Sequence, residues 1–189
     1  LLFATERYRE LGEDIAGAGD FDLGTIERRV FPDGERYRRI ETDCARRDVV
    51  LVGGTVDDFD TLEIYDLACG LVHLGVHTLT LVLPLFGYQT MERASKRGEI
   101  VAAKNRARLL SSVPTAGSGN RAVLVDESKP FCGVSAQIAT LIQEHAFDHL
   151  DAPVKRVCGY DTVMPLYRNE MKYMPSVRRI VDAANQVLE

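Results

Sequence analysis

Short, continuous apolar runs alternate along this chain with stretches of helical spacing. Leu1-Leu2-Phe3-Ala4 opens as a strand, and Glu6 to Ala18 follows as a helix with Tyr8, Leu11, Ile15 and Ala16 on one side. Thr25 to Phe31 and Arg36 to Glu41 read as two strands around Pro32-Asp33-Gly34, a hairpin signal. Asp48 to Gly53 is a buried strand, and Phe59 to Leu74 a helix whose Leu62, Tyr65, Leu67, Ala68, Leu71 and Val72 form a broad apolar face. A strand around Leu79–Leu83 ends at Pro84, a basic loop follows, and a helix is predicted from Glu99. Pro114 to Asn120 is a loop, Ala122 to Val125 a strand, Ser135 to Phe147 a helix, Val154 to Val157 a short strand and Pro175 to Leu188 a last helix.

The strands are apolar throughout instead of alternating, so both faces of their sheet are covered. With helices between them, they predict an α/β fold: a three-layer α/β/α, doubly wound sheet of five or six mainly parallel strands, in one domain over residues 1–189. No internal repeat or low-complexity segment interrupts it.

Composition narrows the function classes. The formal net charge is −5, which disfavours nucleic acid as a partner. Cys44, Cys69, Cys132 and Cys158 are far apart and form no CxxC pair, so neither a disulfide framework nor a zinc site is expected. No apolar run approaches a membrane span and no basic-then-apolar leader opens the sequence, so the expectation is a soluble protein of the cytoplasm with no membrane partner.

Candidate chemistry is sparse. His73 and His77, like His145 and His149, are four apart, but Gly75-Val76 interrupts the first pair and the second lies at a helix end, so no metal site is assigned. Asp57, Asp58 and Asp60 open a helix, where acids complement its dipole. Gly53-Gly54-Thr55 hints at a phosphate loop but lacks the lysine of a Walker motif. The basic loop offers Arg93, Lys96 and Arg97, with Lys104 on the helix beyond, as solvated cations or a loose phosphate grip.

Two stretches carry family resemblance. Phe31-Pro32-Asp33-Gly34-Glu35 together with PLFGYQTMERASKRGEIVAAKNRARLLSSVP resembles the ribose-phosphate pyrophosphokinases, covering residues 1 to about 126. That resemblance implies a nucleotide loop at Phe31, Asp33 and Glu35, often serving a neighbouring subunit, and ATP with magnesium as ligands. It also implies an Arg-Gln-Asp-Arg run after the Gly-Tyr. Here Gln89 is followed by Thr90, Met91, Glu92 and Arg93, so of that run only Arg93 is kept, with Arg97 nearby. The family's metal-binding histidine two residues past the strand-ending aspartate is replaced, since Asp126 is followed by Glu127 and Ser128. No acidic pentose-phosphate loop follows either. Phosphoryl transfer depends on positioning by those groups.

From about Ala122 the sequence resembles instead the C-terminal, transketolase-type domain of the beta subunit of 2-oxoacid dehydrogenases. The match runs through Ala146-Phe147, Leu150-Asp151-Ala152-Pro153-Val154, Asp161-Thr162 and Met174-Pro175-Ser176-Val177. Thiamine diphosphate is bound elsewhere in those enzymes, and this piece implies subunit contacts. The two likenesses meet near Val123-Leu124-Val125-Asp126, inside a strand, which points to an engineered, recombinant chimera of halves 1–126 and 127–189, with a natural mosaic as the alternative. The expectation is therefore a folding scaffold without enzymatic function, catalytic residues or cofactor. Two alternatives stand beside it: a vestigial ATP or phosphate site at Phe31, Asp33, Glu35, Arg93 and Arg97, and a subunit-association module forming a homo-oligomer.

Overall fold

The computed structural model describes residues 1–88, 94–165 and 167–188, the last range without the side chain of Tyr167. Its centre is a five-stranded, wholly parallel sheet. The strands are β1 (Leu2–Ala4), β4 (Asp48–Val52), β5 (Thr78–Leu83), β6 (Asn120–Asp126) and β7 (Lys155–Cys158), adjacent in that order. β2 (Ile26–Val30) and β3 (Arg36–Ile40) form a separate antiparallel hairpin. The expected α/β/α architecture is what the chain adopts.

Alternate residues of each strand feed two cores. Val49, Leu51, Leu79, Leu81, Leu83 and Leu124 face α2 (Asp58–His73), α3 (Ala102–Ser111) and α4 (Val134–Ala146). Val50, Val52, Val82, Val123 and Val125 face the opposite way, onto Ile15 of α1 (Arg9–Gly19) and Ile180 and Val181 of α6 (Val177–Leu188). Burial on both sides explains why the strands are continuously apolar. The four-residue α5 (Glu170–Tyr173), which the sequence pattern did not announce, precedes α6.

The winding reverses at β1. After α1 the chain returns on the outer side of β1, where Leu23 bridges Leu2 in parallel, before the hairpin leads to β4 on the inner side. The crossovers that follow place α2, α3 and α4 on the other face. The carboxyl ends of β1 and β4 thus flank the switch point, the usual ligand crevice of such sheets.

Two elements depart from the sequence pattern. α3 begins at Ala102, not Glu99, because the Glu99 carboxylate accepts the backbone N–H groups of Ser95 (2.6 Å) and Lys96 (3.0 Å) and so closes the preceding loop. α2 is rotated from its expected face: Leu62 is 51% exposed whereas Glu63 is buried. The hairpin covers that flank and supplies Glu63 with arginines. Among the described residues no helix is long and apolar enough to cross a membrane.

Candidate functional site

The switch-point crevice is filled by the chain itself. A side chain at Gly53 would lie 2.7 Å from Thr5, and one at Gly54 would lie 2.6 Å from the Tyr8 hydroxyl and 2.8 Å from the Leu85 carbonyl. Gly87 sits against the Thr55 carbonyl, and its N–H donates to the Thr55 hydroxyl (2.7 Å). These glycines serve close packing, so Gly53-Gly54-Thr55 forms no open phosphate cradle.

Charges around the crevice are paired. Asp57 caps α2 by accepting the Asp60 N–H (2.9 Å), and Arg7 reaches Asp57 (2.9 Å) and Asp60 (2.5 Å). The Asp60 N–H, followed by the neighbouring Arg7, holds the Asp57 carboxyl below its ordinary value. Burial, with Asp60 adding to it, pushes the Tyr8 hydroxyl up. The three acids at this helix start therefore do more than complement a dipole: Asp58 also accepts from Tyr88 (2.7 Å) and pairs with Arg106 of α3.

The hairpin lies along α2, from Phe59 to Gly70. Its inner face carries Ile26 and Ile40 onto the core, then Arg28 and Arg38 onto Glu63 at 3.0 and 3.6 Å, then Arg36, whose guanidinium sits 4.5 Å above the Phe59 ring. The outer face carries Glu27 between Arg29 and Arg39. Burial opposes ionisation of Glu27, yet hydrogen bonds from those two arginines outweigh it and lower its pKa. The Arg28–Glu63–Arg38 arrangement was not visible in the sequence, because Glu63 meets arginines that lie far from it along the chain.

At the hairpin tip the backbone closes through Gly34 N–H to the Phe31 carbonyl (2.9 Å) and Phe31 N–H to the Glu35 carbonyl (2.8 Å). Asp33 accepts the Glu35 N–H (3.1 Å), and Gly34 has φ +91°. Phe31, 45% exposed, meets the edge of Tyr37 with ring centroids 6.2 Å apart. Asp33 and Glu35 are exposed. Arg97 is exposed in the loop ahead of α3, and among the described residues no hydrogen bond or ion pair joins it to the tip. Arg93 lies outside the described residues. The structure thus groups Phe31, Asp33 and Glu35 in one turn.

The carboxyl end of β6 is closed as well. Asp126 accepts the backbone N–H of Ser128 (3.0 Å), the Ser128 hydroxyl, and the N–H of Ser135 (3.1 Å). Burial raises the Asp126 pKa, but these hydrogen bonds outweigh it and hold the carboxyl below the usual range. The Ser135 hydroxyl lies 3.3 Å from the Cys158 sulfur. Among the described residues no three His, Cys, Asp or Glu side chains are grouped to hold a metal. His77 instead meets Ser118 (3.1 Å) and His149 meets Thr115 (2.7 Å).

Comparison with known proteins fits this two-part picture. The family described as the N-terminal domain of ribose phosphate pyrophosphokinase matches residues 1–113. The chain belongs to that family. The transketolase C-terminal domain matches residues 111–180. The two matches overlap at residues 111–113, at the end of α3, and β6 falls within the second. A ribose-phosphate pyrophosphokinase of Methanothermobacter thermautotrophicus is 35% identical over 113 residues, 59% of this chain and 40% of the relative. The mitochondrial pyruvate dehydrogenase E1 component subunit beta of Dictyostelium discoideum is 44% identical over 71 residues, 37% of this chain and 20% of the relative. The phosphoribosylpyrophosphate synthetase of Mycobacterium smegmatis shares the fold, with a TM-score of 0.62 at 19% identity, over 84% of this chain and 48% of that one. The chain spans less than half the length of these relatives. The pyrophosphokinase match takes in β1 to α3, including the hairpin; the transketolase-type match takes in β6, α4, β7 and the first turn of α6.

Proposed function

We propose that this chain is an engineered chimera that folds as one unit and carries out neither parent's reaction, serving as a scaffold in which a transketolase-type segment completes a pyrophosphokinase sheet. The observation that carries this reading is the end of β6. Where the pyrophosphokinase resemblance implies a metal-binding histidine, Ser128 donates back to Asp126, and Ser135 takes up the same carboxylate. A carboxylate holding three internal donors has little capacity left for a cation. The test is AMP release from ATP and ribose 5-phosphate with magnesium. The expected result is no release above a blank without protein; turnover proportional to protein overturns the reading.

A second reading follows from the hairpin tip. Phe31, Asp33 and Glu35 are exposed together, the arrangement by which a loop serves a nucleotide on another subunit. In that case ATP binds with magnesium at Phe31, Asp33, Glu35, Arg93 and Arg97, and the protein is a homo-oligomer. Calorimetric titration of ATP–magnesium beside light scattering separates the two readings, because the scaffold gives no heat at millimolar ligand.

A further inference from the structure

The cleft between the hairpin and α2 holds more positive charge than its ion pairs neutralise. It encloses about 390 Å³ and is lined by Arg9, Arg28, Arg29, Arg36 and Arg38 against only two carboxylates, Glu6 and Glu63. Two further carboxylates stand just outside: Glu27, shared by Arg29 and Arg39, and Asp66, 3.2 Å from Arg38. With Arg39 and its second partner Glu41 included, six guanidinium groups meet five carboxylates, in a chain whose formal net charge is −5. Phe31, Asp33 and Glu35 do not line this cleft, which ends at Val30, Arg36 and Tyr37 beside the hairpin tip.

The arginines are held ready. Glu63 is buried and takes Arg28 at 3.0 Å and Arg38 at 3.6 Å, while Arg28 also donates to the Ala4 carbonyl (2.7 Å). The side chains of Arg28 and Arg38 are 22% and 14% exposed, so their planes are fixed from within. Arg36 pairs with no carboxylate among the described residues; it stacks on Phe59. Stacking leaves the in-plane N–H groups of a guanidinium free to donate, the geometry that grips phosphate oxygens in pairs. Side chains ordered before binding lose little entropy when a ligand arrives.

We propose that this cleft is a binding site for a small phosphorylated ligand carrying at least two negative charges, gripped by Arg36 and flanked by Arg28 and Arg38. Bare surface lysines attract anions only diffusely, whereas a concave set of braced arginines selects closely spaced phosphate oxygens. Nothing in this site depends on whether the chain has pyrophosphokinase activity.

Inorganic pyrophosphate is the probe, titrated calorimetrically into the full chain, with sodium chloride at matched ionic strength as the control. Saturable binding is expected, weakening as salt is raised. Arg36→Gln is expected to weaken it at least tenfold and Arg36→Lys by a smaller factor, since lysine keeps the charge but not the fork. Arg36 is exposed, so both variants are expected to fold, which circular dichroism checks. Lys172→Gln removes an equal charge elsewhere and is expected to leave affinity unchanged. Heat no greater than in the chloride control, or equal affinity in Arg36→Gln, overturns the site. Binding that survives Arg36→Gln but vanishes in Arg97→Gln assigns the ligand to the loop ahead of α3 and overturns it too.

Discussion

Ser128 turns back on Asp126, two residues earlier, and gives it both its backbone N–H and its hydroxyl. The Asp126 carboxyl is thereby held below its ordinary pKa although burial works the other way. A carboxyl depressed in the folded state stabilises the fold above its unfolded pKa of about 3.9, and that contribution fades as pH falls through the folded value. Ser128→Ala is expected to cost about 1–3 kcal/mol at pH 7. The gap to the parent protein, read by urea unfolding, is expected to close as the pH is taken well below 4. A gap that is constant with pH refutes this account.

Glu63 anchors the hairpin. Its replacement by alanine leaves Arg28 and Arg38 largely buried without their shared carboxylate, and is expected to destabilise by about 3 kcal/mol. Asp66→Asn, which removes only the more exposed partner of Arg38, is expected to cost under about 1 kcal/mol. Equal losses in the two variants would show that burial of Glu63 is irrelevant to its role.

The face built by α1 and α6 tests whether the two halves form one unit. Ile180 is buried against the sheet, and Ile180→Ala is expected to cost about 2–5 kcal/mol. In a single cooperative unit, amide exchange at Val50 of β4 and at Val157 of β7 accelerates by the same factor. Acceleration confined to Val157 would mean that the halves unfold separately.

A small apolar cavity of about 50 Å³ lies where the halves meet, among Leu83, Ala107, Leu110, Ala122, Ile142 and Ala146. Its walls come from both matched segments, Leu83, Ala107 and Leu110 from the first and Ala122, Ile142 and Ala146 from the second. Ala146→Val adds volume at the last turn of α4, where a β-branched residue costs little helix stability. A gain of about 1 kcal/mol is expected, seen as a higher midpoint in thermal unfolding. A lower midpoint would mean that the site is already full.

Much of the architecture was legible in the residues. Val49-Val50-Leu51-Val52 and Ala122-Val123-Leu124-Val125 announce strands buried on both faces, and Asp33-Gly34 announces the hairpin turn. Periodicity could not set the rotation of α2: Leu62 fits the apolar stripe, but Glu63 is buried because arginines 35 and 25 residues away neutralise it. Such pairing is a long-range fact with no local signature. The start of α3 was misplaced for a related reason, since Glu99 is a competent helix former that here serves the preceding loop. Of the nucleotide candidates, Phe31, Asp33 and Glu35 share a turn because they are neighbours in sequence, whereas the position of Arg97 depends on a loop that no pattern specifies.

The contact between α1 and α6 has a kinetic consequence. The first helix of the chain is covered by the last, across more than 150 residues of intervening sequence. Until residues 177–188 have been synthesised, Ile15, Val50 and Val82 have no complete cover, although their strands already have partners. Closing so long a loop is entropically slow, and a half-made sheet with one bare apolar face is a site for aggregation. Slower growth at low temperature is therefore expected to raise the yield of folded chain by shortening the exposure of that face relative to synthesis.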